Sequence, residues 1–474
     1  MSDTDLLLAV ERGSILAPAG CGKNELIAVT LKRYTDGKPT LVLTHTNAGK
    51  AALEQRLERC RVSRHAYRVF TIDSWAIRLA TRFPERCGAS RSSVMVENPR
   101  SDYPAVRLAV AAMLSAGHLD DALKSTYTRV LVDEYQDCSL AQHAIVVAVA
   151  KTLPTLVFGD PLQAIFTFSG PTVGWNDHVR AEFPQVLNMR TPWRWDNVGT
   201  GDLGRWLISI RRALWEGNAI NLQTAPPEVR WVKLEGDRNA IHRQRMQTAM
   251  HRAPNKGGSV LVIGQSVRRE NRHEIASCCP GAVVVEPVDL PDLTMFGRTF
   301  KPGGVAATQQ LVDFATEMMT GVSKSALIER LAVLSRGRQV KAASAVEAAV
   351  LAIGPEGTHG AAAAALQALA ASSDTRLYRP DVFRMCVAAL ASAHAGGSTL
   401  HDAVVRERER ARHLGRRLAL RAVGSTLLLK GLEADVSIVL YPEEMNGRHL
   451  YVALTRGARQ VVICSSSPIL QPVA

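Results

Sequence analysis

The sequence predicts an α/β protein of two parallel-sheet domains with a small helical insertion in the second, and three observations predict it. A glycine-rich turn, APAGCGKN at 17–24, stands between an apolar strand-like run and a helix-like one. Short uninterrupted apolar runs occur in two separate sets, the pattern of strands buried on both faces. An alanine-heavy stretch of high helix propensity divides the second set. At 474 residues the chain exceeds one core, and roughly two to four are expected.

The elements follow in order. SILA leads into the glycine-rich turn and ELIAVTLKRY leaves it with helical spacing, giving strand, loop and helix. TLVLTHT at 40–46, RVLVDE at 129–134 and PTLVFGD at 154–160 read as further buried strands. Each ends in polar residues, at the carboxyl edge where an open α/β sheet places its ligands. The later set comprises GGSVLVIGQS at 257–266, DVSIVLYP at 435–442 and RQVVICSS at 459–466. Between them, about 305–420 is helix-rich, with AASAVEAAVLAIG and AAAAALQALAAS separated by the breaker GPEGTHG. VVRERERARHLGRRLALR, 404–421, reads as a solvated amphipathic helix whose charges pair along one face.

Composition narrows the class. A hydrophobic fraction of 46% beside 21% charged residues excludes a disordered chain. No apolar run reaches the length of about 18 residues that spans a bilayer, and the N-terminus lacks the pattern of a secretory signal, so a cytoplasmic protein with no membrane partner is expected. The eight cysteines are scattered, with Cys278 and Cys279 adjacent rather than spaced as a metal clip, which points to buried free thiols. A net charge of +13 suits a polyanionic partner.

The turn at 17–24 fits a phosphate-binding loop. Gly20 and Gly22 let the backbone of Ala19, Cys21 and their neighbours wrap phosphates, while Lys23 reaches the terminal oxygens as a point charge. Asn24 stands where a Ser or Thr hydroxyl normally meets magnesium; its amide oxygen is a neutral hard donor on a longer arm. The stretch VLVDEYQD, 130–137, ends a strand in two carboxylates, placing Asp133 in the outer sphere of magnesium and Glu134 beside an attacking water as general base. GDPLQ at 159–163 offers Gln163, whose amide can sense a γ-phosphate or orient water.

These residues resemble the UvrD/Rep-like helicases of superfamily 1. DEYQD is similar to that family's DExQD, and FGDPLQAIFTFSG to its GDxxQSIYxFRGA. THTNAGKAALEQRL at 44–57, TIDSWAIRL at 71–79, LLLKGLEADVSIVL and LYVALTRGARQVVI resemble further elements in the family's order. The resemblance covers both motor regions and says little about 200–424.

The resemblance implies two RecA-like P-loop NTPase domains: a first motor domain over 1–195, a second begun over 196–304 and completed over 421–474, and a helical accessory insertion over 305–420. It implies ATP and magnesium as cofactors. Trp193 and Arg194 correspond to the aromatic that stacks on adenine and the guanidinium that meets the γ-phosphate. Arg456 corresponds to the arginine finger and Glu433 to an acceptor from the ribose. Phe166 and Phe168 correspond to aromatics that stack on DNA bases, and Thr44, Thr46 and Asn47 to residues that hold backbone phosphates. For the threonines, capping of the following helix is a competing role.

The implied activity is an ATP-dependent helicase or translocase moving 3′-to-5′ on single-stranded or tailed duplex DNA, in DNA repair, recombination or phage defence. The alternative is an ATP-switched DNA-binding regulatory or sensor subunit that works with a partner such as a nuclease and unwinds nothing itself. Three departures from the family pattern bear on the choice: no glutamine precedes the loop at the adenine-reading spacing, His45 replaces an aromatic, and Leu427 replaces a histidine. The stretch between Trp75 and Asp133 is also too short for the large helical insertion of bigger members.

Overall fold

A computed structural model describes residues 3–33, 37–166, 171–337, 341–414 and 419–473. The chain divides into two compact units, Met1–Arg230 with Pro442–Val461 and Pro468–Ala474, and Trp231–Tyr441 with Val462–Ser467.

The first unit is built on a six-stranded sheet. Its strands are β1 (Arg12–Leu16), β2 (Thr40–Thr44), β3 (Tyr67–Thr71), β4 (Val130–Val132), β5 (Thr155–Gly159) and β6 (Gln185–Asn188). They lie in the order β3-β2-β4-β5-β1-β6, and every pairing is parallel. Helices α1 (Lys23–Arg33), α2 (Asn47–Arg59), α3 (Ile72–Arg82), α4 (Leu140–Val149), α5 (Arg211–Glu216) and α6 (Gly447–Leu454) belong to the same unit.

Uninterrupted apolar runs form these strands because both faces of the sheet are covered. Leu41, Leu43, Val130, Val132 and Val157 enter one core with Trp75 and Ile145, while Val42, Leu131, Leu156 and Phe158 enter a second with Ile27 and Leu53. The alternation is the two-residue period of a strand. Each such side chain contributes about 1.5–3 kcal/mol when fully buried. The order of strands matters for chemistry, since β4, β5 and β1 are neighbours and their carboxyl ends open side by side.

A second six-stranded sheet uses β7 (Val229–Lys233), β8 (Val260–Ile263), β9 (Ala282–Val284), β10 (Arg421–Gly424), β11 (Ala434–Val439) and β12 (Gly457–Ser465), in the order β9-β10-β8-β11-β12-β7. The pairings of β8 with β10 and β11, and of β9 with β10, are parallel. Two parallel sheets flanked by helices make this the α/β fold that the strand runs predict.

The second unit also holds a helical core of its own, from Pro291–Thr299 to Leu400–Leu414. Phe296 stacks on Phe300 and Phe314 with centroids 4.7 and 4.3 Å apart. The alanine-rich helices Ala345–Glu356 and His359–Ala371 pack into it through Val350, Ile353, Ala362, Ala365 and Leu366. The arginine-rich segment is helical over Leu400–Leu414, and residues 415–418 lie outside the described residues. All eight cysteines are free thiols, six of them buried.

Candidate active site

The glycine-rich turn leaves β1 and enters α1 with Gly20 at φ 72° and Gly22 at φ 85°, a left-handed backbone that glycine adopts without a Cβ clash. Space imposes the same choice at Gly20, where a Cβ would lie 2.4 Å from the Trp195 ring. Cys21 between them is buried, and burial pushes its thiol up to about 12, so it is an inert packing group.

Lys23 points at the end of β4. Its Nζ lies 2.7 Å from Asp133 Oδ1 and also pairs with Glu134 Oε1. Burial disfavours the ammonium, but the two carboxylates outweigh it and hold the lysine pKa above its ordinary value. Burial raises the Asp133 pKa, against the pull of Lys23. Glu134 adopts a left-handed backbone, φ 54° and ψ 39°, uncommon for a residue with a Cβ. That bend turns the chain out of the strand so that adjacent carboxylates reach one ammonium. Gln136 Nε2 donates to Glu134 Oε2 at 2.6 Å, and Gln136 Oε1 accepts from the Asp160 N–H at 3.0 Å, tying the end of β4 to the end of β5.

At the end of β5, Gln163 Nε2 donates to Asp160 Oδ2 at 2.9 Å, and Gln163 Oε1 accepts from Arg456 Nη2 at 3.4 Å. Arg456 is buried just past α6, its Nε donating to the Val452 carbonyl at 2.9 Å. Arg194 donates its backbone N–H to the Gly20 carbonyl at 3.0 Å and its Nη1 to the Thr455 carbonyl at 2.6 Å. Trp193 is 53% exposed and its indole lies against Gly22. Lys23, Asp133, Glu134, Gln163, Arg194 and Arg456 therefore share one unit around the glycine-rich turn. Glu433 is exposed before β11 and belongs to the second unit.

Asn24 lies in the first turn of α1, and its Oδ1 is buried with no hydrogen-bond partner among the described residues. An orphaned, hard, neutral oxygen beside a phosphate-type loop fits a divalent cation.

A second group gathers at the end of β2. Thr44 Oγ1 is buried without a partner. Thr46 caps α2, its side chain accepting from the Gly49 N–H at 3.0 Å, so the capping role is realised in the fold. Asn47 is exposed in the first turn of that helix. The His45 and Phe166 rings stand 6.2 Å apart, tilted by 36°. Phe168 lies outside the described residues.

Sequence reasoning passed over Asp160, Arg211 and Tyr451. Arg211 on α5 grips Asp160 with both nitrogens, Nη2 to Oδ1 at 2.6 Å and Nη1 to Oδ2 at 2.9 Å, and also donates to the Tyr451 hydroxyl. Asp160 and Tyr451 sit inside quoted motifs, whereas SIRRALWE around Arg211 carries no signal beyond helical spacing.

Residues 92–184 match the family model of the UvrD/REP helicase N-terminal domain. Over that stretch the chain is similar to the UvrD/REP helicases. That match contains Asp133, Glu134, Gln163 and Phe166. Solved structures similar to it include the Pif1 helicase of Candida albicans, 13% identical, with 99% of this chain and 95% of that one covered and a TM-score of 0.39. Another is the arterivirus nonstructural protein 10 helicase in complex with DNA, 11% identical, with 59% of this chain and 55% of that one covered and a TM-score of 0.29. A comparison with curated proteins finds no match. No helix among the described residues is long and apolar enough to cross a membrane.

Proposed function

We propose that this UvrD/REP-related chain hydrolyses ATP to move 3′-to-5′ along single-stranded DNA and to open tailed duplexes. The observation that carries the reading is the convergence of Lys23, Asp133, Glu134, Gln163 and Arg456 at the carboxyl ends of three neighbouring strands.

In this reading Lys23 holds the β and γ oxygens and Trp193 stacks on adenine. Glu134 accepts a proton from the water that attacks the γ-phosphorus while the bond to the ADP oxygen breaks. Gln163 orients that water, and Arg456 and Arg194 meet the charge that develops on the phosphoryl oxygens. Both guanidinium groups are directed by main-chain carbonyls, so little reorganisation accompanies the reaction. Magnesium, when bound, neutralises phosphate charge. Asn24 would hold it directly, Asp133 through water, and Glu433 would accept from the ribose. Thr44, Thr46, Asn47, Phe166 and Phe168 would contact DNA, the phenylalanines by stacking worth about 1–3 kcal/mol per base.

The motor boundaries are proposed at 1–195 and 196–304 with 421–474, around an insertion at 305–420. A cytoplasmic role in repair, recombination or phage defence, with a nuclease as partner, rests on the sequence resemblance.

The deciding experiment measures DNA-stimulated ATPase beside single-turnover unwinding of 3′-tailed and 5′-tailed duplexes. Activity on the 3′-tailed substrate is expected. ATP binding and hydrolysis with neither duplex opened would instead assign the chain to the ATP-switched regulatory class.

A further inference from the structure

We propose that Asp160, Arg211 and Tyr451 form a buried clasp that positions Gln163 and the mouth of the phosphate loop, and so joins the arginine-finger helix to the nucleotide site. The kinetic part rests on the ATPase reading above; the structural part does not.

The clasp is a closed ring of contacts within one unit. Asp160 is 1% exposed, and its carboxylate accepts from Arg211, from the Leu162 N–H at 3.2 Å, from the Ala19 N–H at 3.2 Å and from Gln163 Nε2 at 2.9 Å. Arg211 also donates to the Tyr451 hydroxyl, and that hydroxyl accepts from the Ala19 N–H at 3.2 Å. Tyr451 lies on α6, whose following turn carries Arg456, and Arg456 returns to Gln163. The Arg211 guanidinium lies 4.8 Å from the Tyr451 ring centroid, a second contact that fixes the pair.

Charge explains why this ring is rigid. Burial opposes the Arg211 cation, and Asp160 outweighs it, so the guanidinium stays charged at all working pH. A two-pronged guanidinium–carboxylate pair leaves each partner one low-energy orientation. The orientation of Gln163 then follows, because its N–H₂ end must face the Asp160 carboxylate and its oxygen must face Arg456. An amide turned the other way would set donor against donor and oxygen against oxygen. Ala19 donates its N–H into the clasp, so its part in the loop is to anchor the loop's entrance while the glycines and Lys23 address the phosphates. An ion pair that only stabilised the fold would need neither the Ala19 amide nor the Gln163 side chain.

Asp160, Arg211 and Tyr451 are thus positioning residues. Asp160→Asn leaves a buried guanidinium without its counter-charge and risks the fold, so the milder Tyr451→Phe and Arg211→Lys carry the test. The first readout is hydrogen exchange of the peptide that contains Ala19, in protein without nucleotide. Tyr451→Phe is expected to speed exchange at Ala19 by roughly threefold to tenfold, the loss of one hydrogen bond to a neutral hydroxyl. The second readout is ATPase, where kcat should fall by about tenfold with KM little changed, as for a group that acts on the transition state through others. In a Gln163→Ala background the same Tyr451→Phe substitution should cost little further, because its effect passes through Gln163.

Unchanged Ala19 exchange in both folded variants overturns the clasp. So does a kcat loss that simply multiplies with that of Gln163→Ala. A parent protein that hydrolyses no ATP overturns the proposed function, and the exchange measurement still decides the clasp.

Discussion

Lys23 and Asp133 meet at 2.7 Å, an ammonium from the first turn of one helix against the carboxylate that ends a neighbouring strand. Both side chains are largely buried, 15% and 5% exposed. Lys23→Ala therefore leaves two adjacent carboxylates without their counter-charge, and a loss of about 3 kcal/mol in denaturant unfolding is expected beside the loss of nucleotide binding. Stability equal to the parent's would show that Asp133 finds another partner or protonates at no cost.

Glu134→Gln keeps the side-chain shape and removes the base. Binding of a fluorescent ATP analogue should stay near the parent value while DNA-stimulated turnover falls by a factor of about 100 or more. Near-normal turnover in this variant would withdraw the general-base role.

The orphaned oxygen of Asn24 makes a magnesium titration informative. Asn24→Thr supplies a hydroxyl on a shorter arm and should lower the magnesium concentration for half-maximal ATPase, whereas Asn24→Ala should raise it. If both variants follow the parent curve, residue 24 stands outside the metal's reach.

Phe166→Ala should weaken binding to single-stranded DNA by roughly tenfold and leave the slope of log affinity against log salt unchanged, since stacking releases no counterions. An altered slope with unaltered affinity at low salt would place Phe166 in packing near a phosphate contact instead.

His273 gives the second unit an acid limit. Burial, with Arg379 nearby, lowers its pKa from 6.5 to about 4, so the folded form favours the neutral ring. Below pH 6.5 the unfolded chain binds the proton first, and stability drops as pH falls through the window from 6.5 to 4. His273→Phe should flatten unfolding midpoints across that window. A slope equal to the parent's would assign acid sensitivity to other groups.

Chemistry written in contiguous residues was legible in the sequence. The phosphate loop, the DEYQD carboxylates and GDPLQ each announce themselves by spacing, and the strands that carry them are apolar throughout because both sheet faces are covered. What escaped notice is assembled by folding. Arg211 is one of two adjacent arginines on a short helix, indistinguishable in sequence from a solvated pair, and only the fold brings it to Asp160, 51 residues away. Short strands were missed for a related reason. β6, Gln185–Asn188, lies at the sheet edge with half-exposed residues, and β9, Ala282–Val284, is three residues long, so neither shows the long apolar run of a central strand. Thr46 had two roles open from its position: in the fold its hydroxyl accepts from the Gly49 N–H, and its contact with a DNA phosphate is the proposal made above.

Trp195 lies directly over Gly20, and its indole N–H donates to the Gly457 carbonyl at 3.0 Å, so the ring has no freedom to withdraw. Glycine at 20 and tryptophan at 195 are thus a single volume divided between distant positions. A library that randomises the loop should return glycine at 20 even where position 195 is varied with it, because a smaller ring relieves the contact and leaves the left-handed backbone unchanged. Across descendants of such a chain glycine is expected to stay at 20 while the ring at 195 is the side that varies, a signature readable from sequences alone.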